Sequence, residues 1–125
     1  MKKVLIFTLL MSLSQFVAAS ESSLFEGNFE CSGIELDTTE SFKIMLNIEK
    51  TGKTYALTSK SEEDSYVGTG IYDSTNKSLA AAFINHLDSK ETGIIILHAR
   101  KNKLDATWTY LGKKTIAQAS CTKVR

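Results

Sequence analysis

The stretch that decides the fold of this chain is Phe42-Lys43-Ile44-Met45-Leu46-Asn47-Ile48-Glu49. Phe42, Ile44, Leu46 and Ile48 occupy every second position, and polar side chains lie at most of the positions between them. Successive side chains of a β-strand point to opposite faces, so this alternation predicts a strand with one face in a core and the other in water.

The same alternation continues outward from this stretch in both directions. In the segment Leu104–Tyr110, for example, every second residue is apolar and the residues between are Asp or Thr. Turn residues such as Thr51-Gly52 separate the runs, which recur about every dozen positions. Ala80-Ala81-Ala82 could instead begin a helix, but the short segment leads into Phe83-Ile84 and a strand is favoured. We predict eight strands: Phe25–Cys31, Phe42–Glu49, Thr54–Thr58, Tyr66–Tyr72, Ser78–Asn85, Gly93–Ala99, Leu104–Tyr110 and Thr115–Thr122.

The two cysteines, Cys31 and Cys121, lie on the first and last of these strands. Short connections make sequential neighbours pair antiparallel, and closing such a meander removes both exposed edges. A disulfide between the first and last strands fits that closure and would contribute about 4 kcal/mol by the loop-entropy estimate. The expected fold is therefore all-β, an eight-stranded antiparallel up-and-down barrel closed by one disulfide. A two-sheet β-sandwich with the same bridge is the alternative.

The pattern of the first residues predicts an export signal. Met1-Lys2-Lys3 is a positive start, Val4–Met11 is apolar, and Val17-Ala18-Ala19 offers small residues for cleavage. We expect a secretory signal peptide over residues 1–19 and a single β-barrel domain over residues 20–125, exported to the periplasm or secreted. The apolar run is shorter than the ~20 residues of a membrane span, so no span is expected after cleavage.

The charge balance argues against a nucleic-acid partner. The whole chain has a formal net charge of +1, and loss of Lys2 and Lys3 changes it to −1. A nucleic-acid-binding surface needs an excess of Lys and Arg. A monomer is expected.

The predicted topology separates the charges between the two ends of the barrel. The loops after strands one, three, five and seven share one rim, here called the acidic mouth, whereas the other rim carries mostly Lys and Arg. This separation of charge creates an electric field that can steer a charged partner, and the acidic mouth suits a basic protein. Solvated loops with chance segregation are the alternative. The carboxylates of the acidic mouth are Glu35, Asp37, Glu40, Glu62, Glu63, Asp64, Asp88 and Glu91.

Motifs of catalysis are weak in this sequence. His86 and His98 are the only histidines and have no zinc-ligand spacing, and no Gly-x-Ser-x-Gly elbow occurs. We expect no enzyme activity, no metal and no cofactor. Trp108 and Tyr110 share a strand face and could line a small apolar pocket near one mouth, although aromatic residues at this spacing are most often core.

Several short motifs carry a resemblance to a known class. Phe29-Glu30-Cys31-Ser32-Gly33, Tyr66–Ile71, Leu79–Phe83, Gly93–Ile95 and Leu104–Trp108 resemble the pattern of small exported bacterial β-barrel proteins, sometimes labelled fibronectin-binding. The resemblance implies a calycin-like barrel of avidin or lipocalin type, with no established catalytic residues.

A looser likeness is to periplasmic barrels that inhibit lysozyme or proteases, although the Ser-Gly-x-x-Tyr loop of one such family is absent here. The leading expectation is a binding module that engages a macromolecular partner through long acidic loops. The alternatives are a carrier of a small apolar ligand in the barrel interior and an inhibitor of lysozyme or a protease.

Overall fold

A computed structural model describes residues 23–124 of the chain as a closed, eight-stranded antiparallel barrel. Each strand pairs with its neighbours in sequence, and β1 also pairs with β8. The predicted barrel is therefore confirmed over the sandwich. Its strands are β1 (Gly27–Ile34), β2 (Ser41–Thr51), β3 (Thr54–Lys60), β4 (Ser65–Asp73), β5 (Ser78–Asn85), β6 (Asp88–Arg100), β7 (Lys103–Tyr110) and β8 (Ala117–Lys123).

The disulfide joins the strands that close the barrel. Cys31 of β1 lies opposite Cys121 of β8 in the strand register, and the two form the predicted bridge. Both side chains point inward and are buried. The cross-link spans a sequence separation of 90 residues. Disulfides are typical of oxidising compartments, so the bridge is compatible with an exported protein. The predicted signal peptide lies outside the described residues.

The main core fills the barrel from its middle to the rim with the short turns. Phe25, predicted at the start of the first strand, instead precedes β1 and packs its ring 5.5 Å from that of Tyr72. It is 1% exposed and closes this end of the barrel. The other buried members of the main core are Phe29, Cys31, Leu46, Ile48, Tyr55, Leu57, Leu79, Ala81, Leu97, Leu104, Ala106 and Cys121.

Two inward-facing glycines of β4 let the neighbouring strand approach closely. A Cβ at Gly68 would lie 2.7 Å from the Ala82 carbonyl oxygen of β5, and one at Gly70 would lie 3.1 Å from the Leu79 side chain. Glycine within a strand often marks such a close approach of the neighbouring backbone. Ala80, Ala81 and Ala82 lie in β5, opposite Ile71, Gly70 and Thr69 of β4, so the strand interpretation of that segment is confirmed over a helix.

The connections at the acidic mouth differ from the prediction. Residues 61–64 connect β3 to β4. Strand β6 begins at Asp88 rather than at the predicted Gly93, so only residues 86–87 connect β5 to β6. The longer connections are residues 35–40 and 111–116. The prediction of long acidic loops is therefore wrong for the connection between β5 and β6, because polar residues extend β6 to the rim. No helix among residues 23–124 is long and apolar enough to cross a membrane.

Candidate functional site

A cavity of about 140 Å³ opens at the acidic mouth, above the main core. Its floor includes the Cys31–Cys121 bridge, and its lining comes from all eight strands. Most of the lining is apolar. An apolar cavity of about 150 Å³ in another protein is large enough to bind benzene, so this volume suits a ligand of about one ring. The residues that line the cavity include Glu35, Phe42, Ser59, Asp64, Tyr66, Phe83, Ile95, Trp108 and Tyr110.

Aromatic rings form much of the cavity wall. The Phe42 and Trp108 rings meet edge to face at 5.4 Å, and the Phe83 ring lies 5.9 Å from Tyr66 and 6.1 Å from Tyr110. The structure thus brings together Trp108 and Tyr110, the two residues of the predicted pocket. Both line the cavity, and so do Phe42, Tyr66 and Phe83.

The connection of residues 35–40 folds inward over one side of this wall. Leu36 is 6% exposed and packs with Trp108 and Ala117 in a small second apolar cluster. Outside this cluster, Asp37 links the same connection to residues 111–116. Its carboxylate accepts a hydrogen bond from Thr115 Oγ1 at 2.5 Å and lies 3.8 Å from Lys113 Nζ. The two longest connections are therefore fixed to each other.

Asn85 organises the polar side of the mouth. Its side chain is fully buried, and its Oδ1 accepts hydrogen bonds from the backbone N–H groups of Ser65 and Leu87 at 3.0 and 3.1 Å. Its Nδ2 donates to Asp64 Oδ1 at 2.9 Å and to Glu91 Oε1 at 2.8 Å. One amide thereby ties the connections of residues 61–64 and 86–87 to the rim end of β6 and orients two carboxylates.

Two phenols complete this network. Tyr66 donates to Glu91 Oε1 at 2.6 Å, and Tyr110 donates to Glu35 Oε1 at 2.9 Å and approaches Glu91 Oε2 at 3.5 Å. Burial raises the pKa of both phenols well above the usual tyrosine value, and the hydrogen bonds to Glu91 and Glu35 act in the same direction. Both hydroxyls therefore stay protonated and keep donating to the carboxylates.

A β-bulge places Glu91 in this network. Ile84 of β5 faces Thr92 of β6, but the next residue, Asn85, faces Asp88, so residues 89–91 have no partner on β5. Thr92 Oγ1 donates to the Ser89 carbonyl oxygen at 2.7 Å across the bulge. Bulges commonly redirect a side chain beside a functional site, and here the bulge directs a carboxylate inward.

The eight predicted carboxylates of the acidic mouth fall into two sets. Glu35, Asp64 and Glu91 are half-buried and belong to the hydrogen-bond network at the cavity, and we call them the inner carboxylates. The remaining five are exposed on the rim, and we call them the outer carboxylates: Asp37, Glu40, Glu62, Glu63 and Asp88. The sequence groups all eight but does not distinguish the two sets.

Other predicted positions lie away from the cavity. His98 is exposed on the outer face of β6, and His86 is exposed in the turn of residues 86–87. Within the described part of the chain, no three His, Cys, Asp or Glu side chains are arranged to hold a metal ion.

Sequence reasoning missed two site residues. Asn85 ends a predicted strand, where its amide could not be distinguished from an ordinary polar terminus. Ser59 follows the predicted end of strand three, but the alternation of Tyr55 and Leu57 continues to it, and this signal could have placed it inside. Ser59 is 8% exposed and lines the cavity.

A scan of the chain against protein-family models gave no match, and a comparison with curated proteins gave none either.

Proposed function

We propose that this chain is an exported, non-enzymatic binding protein that holds one small, mainly apolar ligand in the cavity at its acidic mouth. The observation that carries the proposal is the cavity itself, about 140 Å³ in volume and walled by aromatic side chains. Ligand sites in proteins are typically concave and apolar, with a few polar groups that orient the ligand. The inner carboxylates, the two phenols and Ser59 supply such groups.

Export is the second part of the proposal. It is supported by the signal-like pattern of residues 1–19 and by the Cys31–Cys121 bridge. The periplasm or the extracellular medium is the expected location, and the resemblance to exported calycin-like barrels points the same way.

The test uses Trp108, which lines the cavity and is the only tryptophan of the chain. We expect saturable, one-to-one changes in its fluorescence when small aromatic and alkyl alcohols and amines are titrated into the protein. Ile95 also lines the cavity, so Ile95→Phe fills it and should weaken binding about ten-fold or more.

The chain provides a matched control in the adjacent residue. Ile94 is 56% exposed on the outer face, so Ile94→Phe adds the same volume outside the barrel and should leave binding unchanged. No saturable response across the panel, or equal binding by the two folded variants, would contradict the proposal.

The outer carboxylates support a second candidate function, the docking of a basic protein on the rim. Glu40, Glu62 and Glu63 form no ion pair with any residue among 23–124. Replacing Glu62 and Glu63 by Ser, with Asp64 left in place to keep its bond to Asn85, should weaken capture of a basic protein such as lysozyme at low salt. Lysozyme activity in the same mixtures tests whether capture also inhibits. Unchanged capture would count against this candidate.

A further inference from the structure

We infer that the ligand of this cavity is a small organic cation, an amine with an aromatic or short alkyl body. The inference rests on the proposed function and adds the chemical class of the ligand. It follows from the charges at the mouth, the direction of the hydrogen bonds there and the aromatic wall.

The inner carboxylates have no countercharge. Glu35, Asp64 and Glu91 form no ion pair with a Lys, Arg or His among residues 23–124, and the lining of the cavity contains no basic side chain. Half-buried carboxylates gain most from a cation, because the electrostatic attraction is screened less at the rim of a low-dielectric cavity than in water. A cationic ligand would supply the missing charge.

The phenol and amide side-chain donors at the mouth point toward the carboxylates. Tyr66, Tyr110 and Asn85 direct their protons to Glu91, Glu35 and Asp64, so these donors are already engaged. Among the described residues, none donates to Glu35 Oε2 or Asp64 Oδ2. The mouth therefore offers free acceptors, which an ammonium group with three donors can use and a carboxylate or phosphate cannot.

Ser59 adds a polar group to the lining. It is 8% exposed, points to the inside of the barrel from β3 and lines the cavity. Among residues 23–124 no buried side-chain polar atom lacks a hydrogen-bond partner, so this hydroxyl is not an orphaned group and is accessible from the cavity. It can accept a hydrogen bond from a ligand N–H.

The cavity wall suits the body and the charge of such a ligand. Trp108, Phe42 and Phe83 offer ring surface for an apolar body, and the faces of aromatic rings attract cations. A single ring carrying an aminoethyl chain matches the volume, with its ring on the floor and its ammonium group among the inner carboxylates.

The experiment compares phenethylamine with phenethyl alcohol, which share their carbon skeleton and differ in the charge of the terminal group. We expect calorimetric titration near neutral pH to give about ten-fold tighter binding of the amine at low salt, with an advantage that shrinks as salt is added. Glu91→Gln keeps acceptors for Tyr66 and Asn85 but removes the charge, and it should remove most of the advantage. Circular dichroism and the urea unfolding midpoint of this variant, compared with those of the wild type, establish that its barrel is intact.

Glu62→Gln is the matched control, because Glu62 is an outer carboxylate on the same rim, and this variant should keep the amine advantage. If both probes bind wild-type protein equally, or Glu62→Gln acts as strongly as Glu91→Gln, the cation inference is overturned while the proposed function stands. If neither probe binds, the proposed function fails and the inference fails with it.

Discussion

Asn85→Asp tests the organisation of the mouth most directly. The substitution keeps the shape of the side chain but replaces its NH₂ group by an oxygen. That oxygen would face Asp64 Oδ1 and Glu91 Oε1 at the distances where Nδ2 now donates, 2.9 and 2.8 Å. Two favourable contacts to carboxylates thereby become two unfavourable ones in a fully buried position.

The loss in stability can be estimated from the free energy needed to keep the new carboxyl protonated. The introduced carboxyl avoids the repulsion by staying protonated. Because pH 7 lies about three units above the usual aspartate pKa, keeping the carboxyl protonated at pH 7 costs about 4 kcal/mol. A protonated carboxyl donates one hydrogen bond where the amide donated two, and a lost bond to a charged group costs about 2 kcal/mol. We expect a loss of about 6 kcal/mol in the free energy of unfolding near pH 7.

The loss of stability in Asn85→Asp should increase as the pH rises. Burial and the neighbouring carboxylates raise the pKa of the introduced carboxyl in the folded state above its unfolded value. The folded state then binds the proton that the unfolded state releases, so the variant becomes less stable as pH rises above about 4 and recovers on acidification. Near pH 4 the loss should be about 2 to 3 kcal/mol.

The assay is urea unfolding of oxidised protein at both pH values, followed by Trp108 fluorescence. Asn76→Asp is the matched control, because the Asn76 amide also donates to a carboxylate, Asp73 Oδ2 at 2.7 Å, but in an exposed turn. That bond is the main reason why the pKa of Asp73 is lowered. Solvent screens the new repulsion there, so the control should lose much less stability. A loss in Asn85→Asp that is independent of pH, or no larger than in the control, would refute the reasoning.

The remaining predictions concern a glycine and the two phenols. Gly93→Ala should lower the free energy of unfolding by about 3 kcal/mol, because the added Cβ would lie 2.0 Å from the Thr109 carbonyl oxygen. Gly112→Asn should cost about 1 kcal/mol or less in the same urea assay. At Gly112 nothing lies within 4 Å of an added Cβ, and Asn tolerates the φ of +83°. Equal losses in these two variants would contradict the crowding argument. Burial and the bonds to Glu91 and Glu35 raise the pKa of Tyr66 and Tyr110, so the stability they confer is complete below the ordinary tyrosine pKa near 10 and is lost as pH rises above it. Replacing both by Phe should flatten this alkaline decline, and phenolate absorbance of the folded wild type that exceeds that of the folded variant near pH 11 would show the prediction to be wrong.

The fold could be predicted because its determinants are local. Alternation in stretches such as Phe42–Glu49 marks the strands, short turns enforce antiparallel neighbours, and the cysteine positions favour closure. The sequence placed the start of β6 too late, because Asp88–Glu91 are polar and resemble a loop. Their extension to the rim depends on the pairing of Asn85 with Asp88 across the strand ladder, which no local pattern encodes.

The candidate site was predictable only in outline. The topology predicts one rim rich in carboxylates, and the spacing of Trp108 and Tyr110 predicts that both face the same way. Which carboxylates turn inward depends on the β-bulge and on the four hydrogen bonds of Asn85, whose partners lie in β4, in β6 and in the connections of residues 61–64 and 86–87. Such contacts between distant segments appear only when the strands are assembled.

The bridge between the first and last strands also changes what a single cut does to the chain. Every turn from residues 35–40 to residues 111–116 lies inside the covalent ring that Cys31 and Cys121 close. Hydrolysis of one peptide bond in any of these turns releases no fragment and adds only the mass of one water. The two pieces stay at high effective concentration and can pair again without meeting by diffusion. A protease must cut this ring twice before part of the barrel is lost.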